Sequence, residues 1–306
     1  MKLERKKNVE TEEVLIEIER DYPVYKENEL ARFCHDLSLM EAKIFSFICS
    51  VLNPEHPSEN FEYEVSVNQY MKVMGISNSG KNYELIKAGF KKLADKSIWV
   101  PVVENGKHGE EIVRCLDAVT VFEKSGTIKF TIGKLLRPYL YNLNHFIKYS
   151  LRYVLVFTKK HSVHLYEILK SYEYKKDVDV DLESLKDVLL RKKDGTRASG
   201  YDRYPDFRKR ILEPCIDEIN KYSDIYVTYK AHSVVSKKKF DTITFYIKSK
   251  GDRELLHTWV DIDNALNRTL QEEQVPGQYS LVDYIEMPEE YGEEIIPADM
   301  LSKSKE

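Results

Sequence analysis

Three groups of cationic side chains stand out for the chemistry they could do. Arg203, Arg208, Lys209 and Arg210 gather around the start of an amphipathic helical pattern, residues 204–220. Arg191, Lys192, Lys193 and Arg197 lie in the glycine-containing stretch RKKDGTRASG just before it. Lys237, Lys238 and Lys239 fall between two stretches that alternate like paired strands, one ending near Tyr229 and the other at 242–248. Such groups bind phosphate, and an arginine can also hydrogen-bond guanine O6 and N7 bidentately. A helix N-terminus adds its own affinity for phosphate through free amides and its dipole. Any one group could equally be a solvated surface; three that would flank one face point to nucleic acid.

Other constellations lead nowhere. His161 and His164 could share a metal on one helix face, but Ser162 and Val163 separate them, so a His-hydrophobic-His nicking motif is not formed and no third ligand is evident. Asp177, Asp179 and Asp181 would line one face of a strand, yet they precede a helical stretch from Leu182 that Asp181 can cap. Ser79-Gly80-Lys81 resembles the end of a phosphate loop without its earlier glycines or the apolar strand that leads into one. Cys34, Cys49, Cys115 and Cys215 form no CxxC pair and read as structural free thiols. The expectation is a protein that is not an enzyme and holds no metal or cofactor.

The elements that position the three groups follow from periodicity. On a 100° wheel Phe207, Ile211, Leu212, Cys215, Ile216 and Ile219 form one face of the helix from 204. Lys209, Arg210, Glu213 and Asp217 fall opposite; Arg208 lies nearer the apolar side, where it would reach phosphate or brace the fold. Upstream, Thr158 opens a helix to 172, residues 178–180 a short strand, and 182–190 a second helix. The first half repeats this order. Ser38 with Glu41 makes a capping box for a helix ending at Asn53-Pro54, followed by a strand at 61–67 and helices at 67–74 and 82–96. Strands are expected at 98–103, 111–123 and 127–132, a linking helix at 134–144 and a strand at 146–157. By pattern, 98–103 matches the strand that begins at Ile225. Helix, strand, two helices and a hairpin, given twice, is the order of the winged helix. The expected fold is α+β: two tandem, pseudo-duplicated winged-helix domains at 24–145 and 146–250, between a charged arm, 1–23, and a flexible acidic tail, 251–306, disordered or loosely docked.

The net charge of −4 argues against nucleic acid until it is mapped. Residues 131–250 carry 25 basic and 15 acidic side chains, residues 1–130 carry 18 and 22, and residues 252–306 carry 4 and 14. A basic block beside an acidic tail fits nucleic-acid contact. No apolar run of membrane-spanning length and no secretory signal is present, so a cytoplasmic location is expected.

The chain resembles the winged-helix replication initiators (Rep) of iteron-bearing, theta-replicating plasmids. The residues that carry the likeness are VYKENELARFCHDLSLMEAKIFSFI at 24–48, FEYEVSVNQYMKVMGI at 61–76, YELIKAGFKKLADKSI at 83–98, FTIGKLLRPYL at 130–140, HLYEILKSY at 164–172 and DFRKRILEPCIDEINKYSDIYVTY at 206–229. The resemblance implies binding to double-stranded DNA repeats at an origin, with the second domain reading the major groove through the segment from Arg203 to Arg210. It implies that the first domain contacts DNA more weakly and mediates dimerisation, that monomers initiate, and that dimers repress their own promoter. The implied partners are the host replicative helicase, its loader and the host initiator. A dedicated transcriptional repressor on the same fold is the alternative.

Overall fold

The computed structural model describes residues 21–122, 125–234 and 240–272. Strand β1, Pro23–Glu27, comes first, and the two-residue β2, Cys34–His35, follows a turn of 3-10 helix. The Ser38 hydroxyl then accepts from the Glu41 amide while the Glu41 carboxylate accepts from the Ser38 amide, and this reciprocal cap starts α1, Leu39–Val51. Strand β3, Glu62–Ser66, runs directly into α2, Val67–Met74, whose first turn the Ser66 hydroxyl caps at the Gln69 amide. Gly75, at φ 66°, ends α2 in the left-handed region, where a Cβ would be disfavoured. Helix α3, Gly80–Ala94, begins at Ser79.

A hairpin of β4, Ser97–Glu104, and β5, Lys107–Arg114, follows, and then a second hairpin of β6, Leu116–Phe122, and β7, Thr127–Ile132. The second hairpin joins β3 in a sheet of order β3-β7-β6, and the first pairs with β2 in a separate sheet, β2-β4-β5. Where one strand was expected over 111–123, the chain leaves one sheet and enters the other at Cys115. Gly133 permits this crossing, because its amide donates to the Cys115 carbonyl and a Cβ there would sit 2.1 Å from the Arg114 carbonyl oxygen. Phe47, Tyr70, Phe90 and Phe130 fill the core below, with successive ring centroids 4.8, 5.9 and 6.3 Å apart.

The expected helix over 134–144 is only a 3-10 turn, Arg137–Tyr139. Pro138 has no amide hydrogen for a helical bond, and Asn142 sits at φ 53°. The expected strand over 146–157 stops early: β8, Phe146–Ser150, turns back to pair with β1, and Arg152–Leu155 forms the short helix α4. Strand β1 was unexpected because Pro23 reads as a breaker; at the first position of a strand a proline costs no ladder bond.

The second unit opens with α5, Lys160–Lys170, then β9, Asp177–Asp181, and α6, Leu182–Leu189, capped by Asp181. Next come α7, Tyr204–Phe207, a π-helical turn over Arg208–Leu212, and α8, Glu213–Tyr222, which together make one helix. Strands β10, Ile225–His232, and β11, Thr242–Ser249, complete a sheet of order β10-β11-β9. The two units thus share one topology, with β6 and β7 the counterparts of β10 and β11. The pattern match of 98–103 to the strand at Ile225 is corrected accordingly: β4 belongs to an inserted hairpin that the second unit lacks.

The segment from 251 begins with structure. Helix α9, Asp252–Glu272, buries Thr258, Ile262 and Leu266, one per turn, and packs on α8. The Lys250 ammonium fastens its start to the Asn220 carbonyl, at 2.6 Å, and to the Thr258 hydroxyl, at 2.9 Å. The rest of the expected tail, 273–306, and all of the arm before Asp21 lie outside the described residues. No helix among the described residues is long and apolar enough to cross a membrane.

Helix α5 packs against both α1 and α8 and so belongs to both cores. Across this seam the buried Lys26 of β1 pairs with Glu167 of α5 at 2.6 Å, and the Tyr149 hydroxyl donates to the same carboxylate oxygen. The Lys43 ammonium donates to the Leu155 carbonyl at 2.7 Å; burial pushes it down to about 8, against the pull of Glu218.

Candidate nucleic-acid interface

The face formed by the loop after α6 and the start of α7 is built around a buried lysine. Lys186 of α6 is fully buried, donating to the Asp202 carbonyl at 2.7 Å and to Glu183 at 2.9 Å. It lies 5.9 Å from the centroid of the Phe207 ring, so it fixes the entry to α7 to the helix before it. It was not among the expected site residues, although its place four residues after Leu182, on the apolar face of α6, was a visible signal.

Arg203 stands at the N-cap position of α7 without a capping side-chain bond and is 78% exposed, with its guanidinium 2.9 Å from Asp206. Arg208, Lys209 and Arg210 are all exposed. Lys209 and Arg210 have no ion pair among the described residues. Arg208 does not turn toward the apolar side as the 100° wheel implied. The reason is the π-turn: the Glu213 amide donates to the Arg208 carbonyl, five residues back, and the wider turn keeps three consecutive basic residues outside while Phe207, Ile211 and Leu212 stay buried. Its cause is in the sequence. Pro214 has no amide hydrogen to give the Arg210 carbonyl, and its ring crowds that carbonyl.

The same turn pairs Arg208 with Glu213, Nε to Oε1 at 3.5 Å. Residues five apart diverge by about 140° on an α-helix, so this contact depends on the wider turn. The Tyr229 hydroxyl of β10 donates to that Glu213 oxygen at 3.2 Å. Tyr204 stacks obliquely on Phe240, centroids 5.0 Å apart, tying the helix start to the base of the hairpin.

The loop group divides. Lys192 and Lys193 are exposed at its tip. Arg197 is committed inward, within 2.8 Å of Glu183, 3.2 Å of Asp187 and 3.4 Å of Asp202. The Glu183 hydrogen bond foremost holds its guanidinium above the usual range. Arg191 also turns away from the expected face, donating to the Gly195 carbonyl and to Glu110 of β5, both at 2.8 Å, and lying 5.5 Å from the Trp99 ring centroid. It joins the loop to the inserted hairpin of the first unit. Lys237, Lys238 and Lys239 lie outside the described residues; the flanking β10 and β11 are held by a bond from the Asp241 amide to the His232 carbonyl.

The rival constellations have structural partners. Burial pushes His161 down to about 3 and His164 to about 4, so both are neutral at neutral pH. Asp179 accepts from Thr244, and Asp181 caps α6. No group of three potential metal ligands exists among the described residues. Cys49, Cys115 and Cys215 are buried free thiols.

Two family profiles match this architecture: "Initiator Replication protein, WH1" over residues 23–170 and "Initiator Rep protein, WH2" over residues 181–247. The chain belongs to the initiator Rep family. Its first profile runs through α5, the helix that both cores share. A curated replication initiation protein of Escherichia coli is 28% identical over 243 residues, which are 76% of this chain and 71% of the relative. The fold is that of the Pi initiator protein, whose crystal structure in complex with iteron DNA superimposes at a TM-score of 0.62 with 18% identity, over 77% of this chain and 100% of that one. Two tandem winged helices are therefore the architecture of this Rep chain.

Proposed function

We propose that this Rep chain is a plasmid replication initiator that binds directly repeated double-stranded DNA, iterons, at an origin. The observation that carries the reading is the start of the α7–α8 helix, where Arg203, Arg208, Lys209 and Arg210 are exposed, with Lys192 and Lys193 exposed on the loop that precedes it in the chain. An N-terminal helix end of this charge suits base contact in the major groove, with phosphate held by the flanking lysines. The Pi–iteron complex supports the same substrate class. In this reading Arg191 and Arg197 hold the loop in shape rather than touch DNA, and Lys237, Lys238 and Lys239, between β10 and β11 in the sequence, act as phosphate contacts. The first unit serves dimerisation and weaker DNA contact; dimers repress the chain's own promoter. The bound protein opens the adjacent duplex and recruits the host helicase, its loader and the host initiator, with no catalytic step of its own.

The test is a mobility shift with the direct repeats of its own replicon against random duplex at physiological salt; equal affinity for both refutes the reading. Deleting the gene from a minimal replicon separates an initiator, which is indispensable for copying, from a dedicated repressor, which is not. Nicking of supercoiled plasmid in Mg²⁺ would reveal an enzyme instead.

A further inference from the structure

The π-turn sits in the one helix whose outward residues are assigned to base contact, and Pro214 and Glu213 account for it. Pro214 removes the amide that would close an α-turn on Arg210. Glu213 supplies both the five-residue backbone bond to Arg208 and the carboxylate that holds the Arg208 guanidinium. Tyr229 in turn fixes that carboxylate from the sheet. The corresponding helix of the first unit, α3, runs regularly from Gly80 to Ala94 without such a turn. An extra residue in one turn rotates the helix before it by about 100° relative to the helix beyond it. The segment beyond the turn is anchored by Cys215, Ile216 and Ile219, all buried. The turn therefore sets the direction in which Arg208, Lys209 and Arg210 leave the domain.

From this we infer that Pro214 and Glu213 are specificity-determining positioning residues. They select which base pairs the basic triad meets without touching DNA themselves. The inference rests on the reading of α7–α8 as the DNA-reading helix. In the Pro214→Ala protein the amide of residue 214 can bond the Arg210 carbonyl, the turn narrows, and the triad is re-aimed. Total positive charge is unchanged, so attraction to phosphate is unchanged.

The experiment is selection of bound sequences from a randomised duplex pool by the full chain, wild type and Pro214→Ala, together with affinity for random duplex over a salt series and a thermal melt. The expected result is a changed or relaxed consensus for Pro214→Ala, roughly a ten-fold or greater loss on the wild-type site because a single well-placed base contact is worth that much. Random-duplex affinity and its salt slope should match wild type, and the melt should be unchanged or raised because a proline has left a helix. An unchanged consensus from a folded Pro214→Ala protein overturns the inference. Should that variant fail to melt cooperatively, Glu213→Gln decides: it must relax the same base pairs that Arg208→Ala relaxes, and a wild-type consensus from it overturns the inference equally. A wild-type protein that enriches no sequence at all would instead refute the proposed function.

Discussion

Helices α3 and α7–α8 occupy the same place in two units of one topology, yet their surfaces are spent differently. On α3 the mid-helix cation, Lys87, is buried, paired with Glu84 at 2.8 Å and lying 5.1 Å from the Tyr83 ring centroid. Of its exposed lysines, Lys91 and Lys92 are at the C-terminal end, where they complement the helix dipole, and Lys81 alone is at the N-terminal end. On α7–α8 three consecutive cations, Arg208, Lys209 and Arg210, face out in the N-terminal half, with Lys221 alone in the last turn. The first unit also carries the β4–β5 hairpin, which receives Arg191 from the second. In the proposed reading one copy of the fold serves as scaffold while the other presents its basic helix end to DNA. The number of exposed cations toward the N-terminal end, one on α3 against three in a row on α7–α8, distinguishes them.

The largest effect is expected where the units meet. Lys26→Met leaves Glu167 buried without its cation and should cost about 3–5 kcal/mol in urea unfolding. A loss below about 1 kcal/mol would mean that the seam does not bind the two units into one cooperative body. Lys43 tests the same seam through pH. Its folded value, about 8, lies below the ordinary 10.5, so between these the unfolded chain binds more protons and stability rises with pH. Wild type should therefore gain up to roughly 3 kcal/mol on Lys43→Met between pH 8 and 10.5, read from urea midpoints of both proteins.

The contrast between the helices is tested next. Lys209→Ala with Arg210→Ala should weaken binding to a selected site by about 100-fold, whereas Lys91→Ala with Lys92→Ala should change it by less than about five-fold, both by fluorescence anisotropy. Equal losses would erase the distinction between reader and scaffold. The smallest effect concerns the loop. Lys192→Ala with Lys193→Ala should lower the slope of log K against log salt by about 2, while Arg197→Ala should leave the slope unchanged and lower stability.

Much of this arrangement could be read from the chain because it is local. Ser38 with Glu41, and Asp181 before Leu182, fix helix starts within four residues. The apolar stripe of α8 and the alternation of β11 fix which face is inside. The strand break at Cys115 could not be read, because it depends on Gly133 arriving 18 residues later. The pairing of β8 with β1 spans more than a hundred residues and leaves no periodic trace. Helix α9 escaped because, among the described residues, its buried face is Thr258, Ile262 and Leu266, while Leu256, Trp259 and Val260 stay exposed and blur the stripe.

The sequence by itself determined the two winged-helix units, their order, and the cluster of cations at the start of the second recognition-type helix, because periodicity, caps and charge are properties of neighbouring residues. Only the tertiary structure decided which cations remain available. Arg191 and Arg197 look like Lys192 and Lys193 in the chain, but carboxylates on β5 and α6 and that of Asp202 claim them in space. Pro214 stood in the sequence throughout, but its consequence, three adjacent basic residues held outward by a π-turn and braced by Glu213 and Tyr229, needed the core of α8 and the strand β10 to define which way was out.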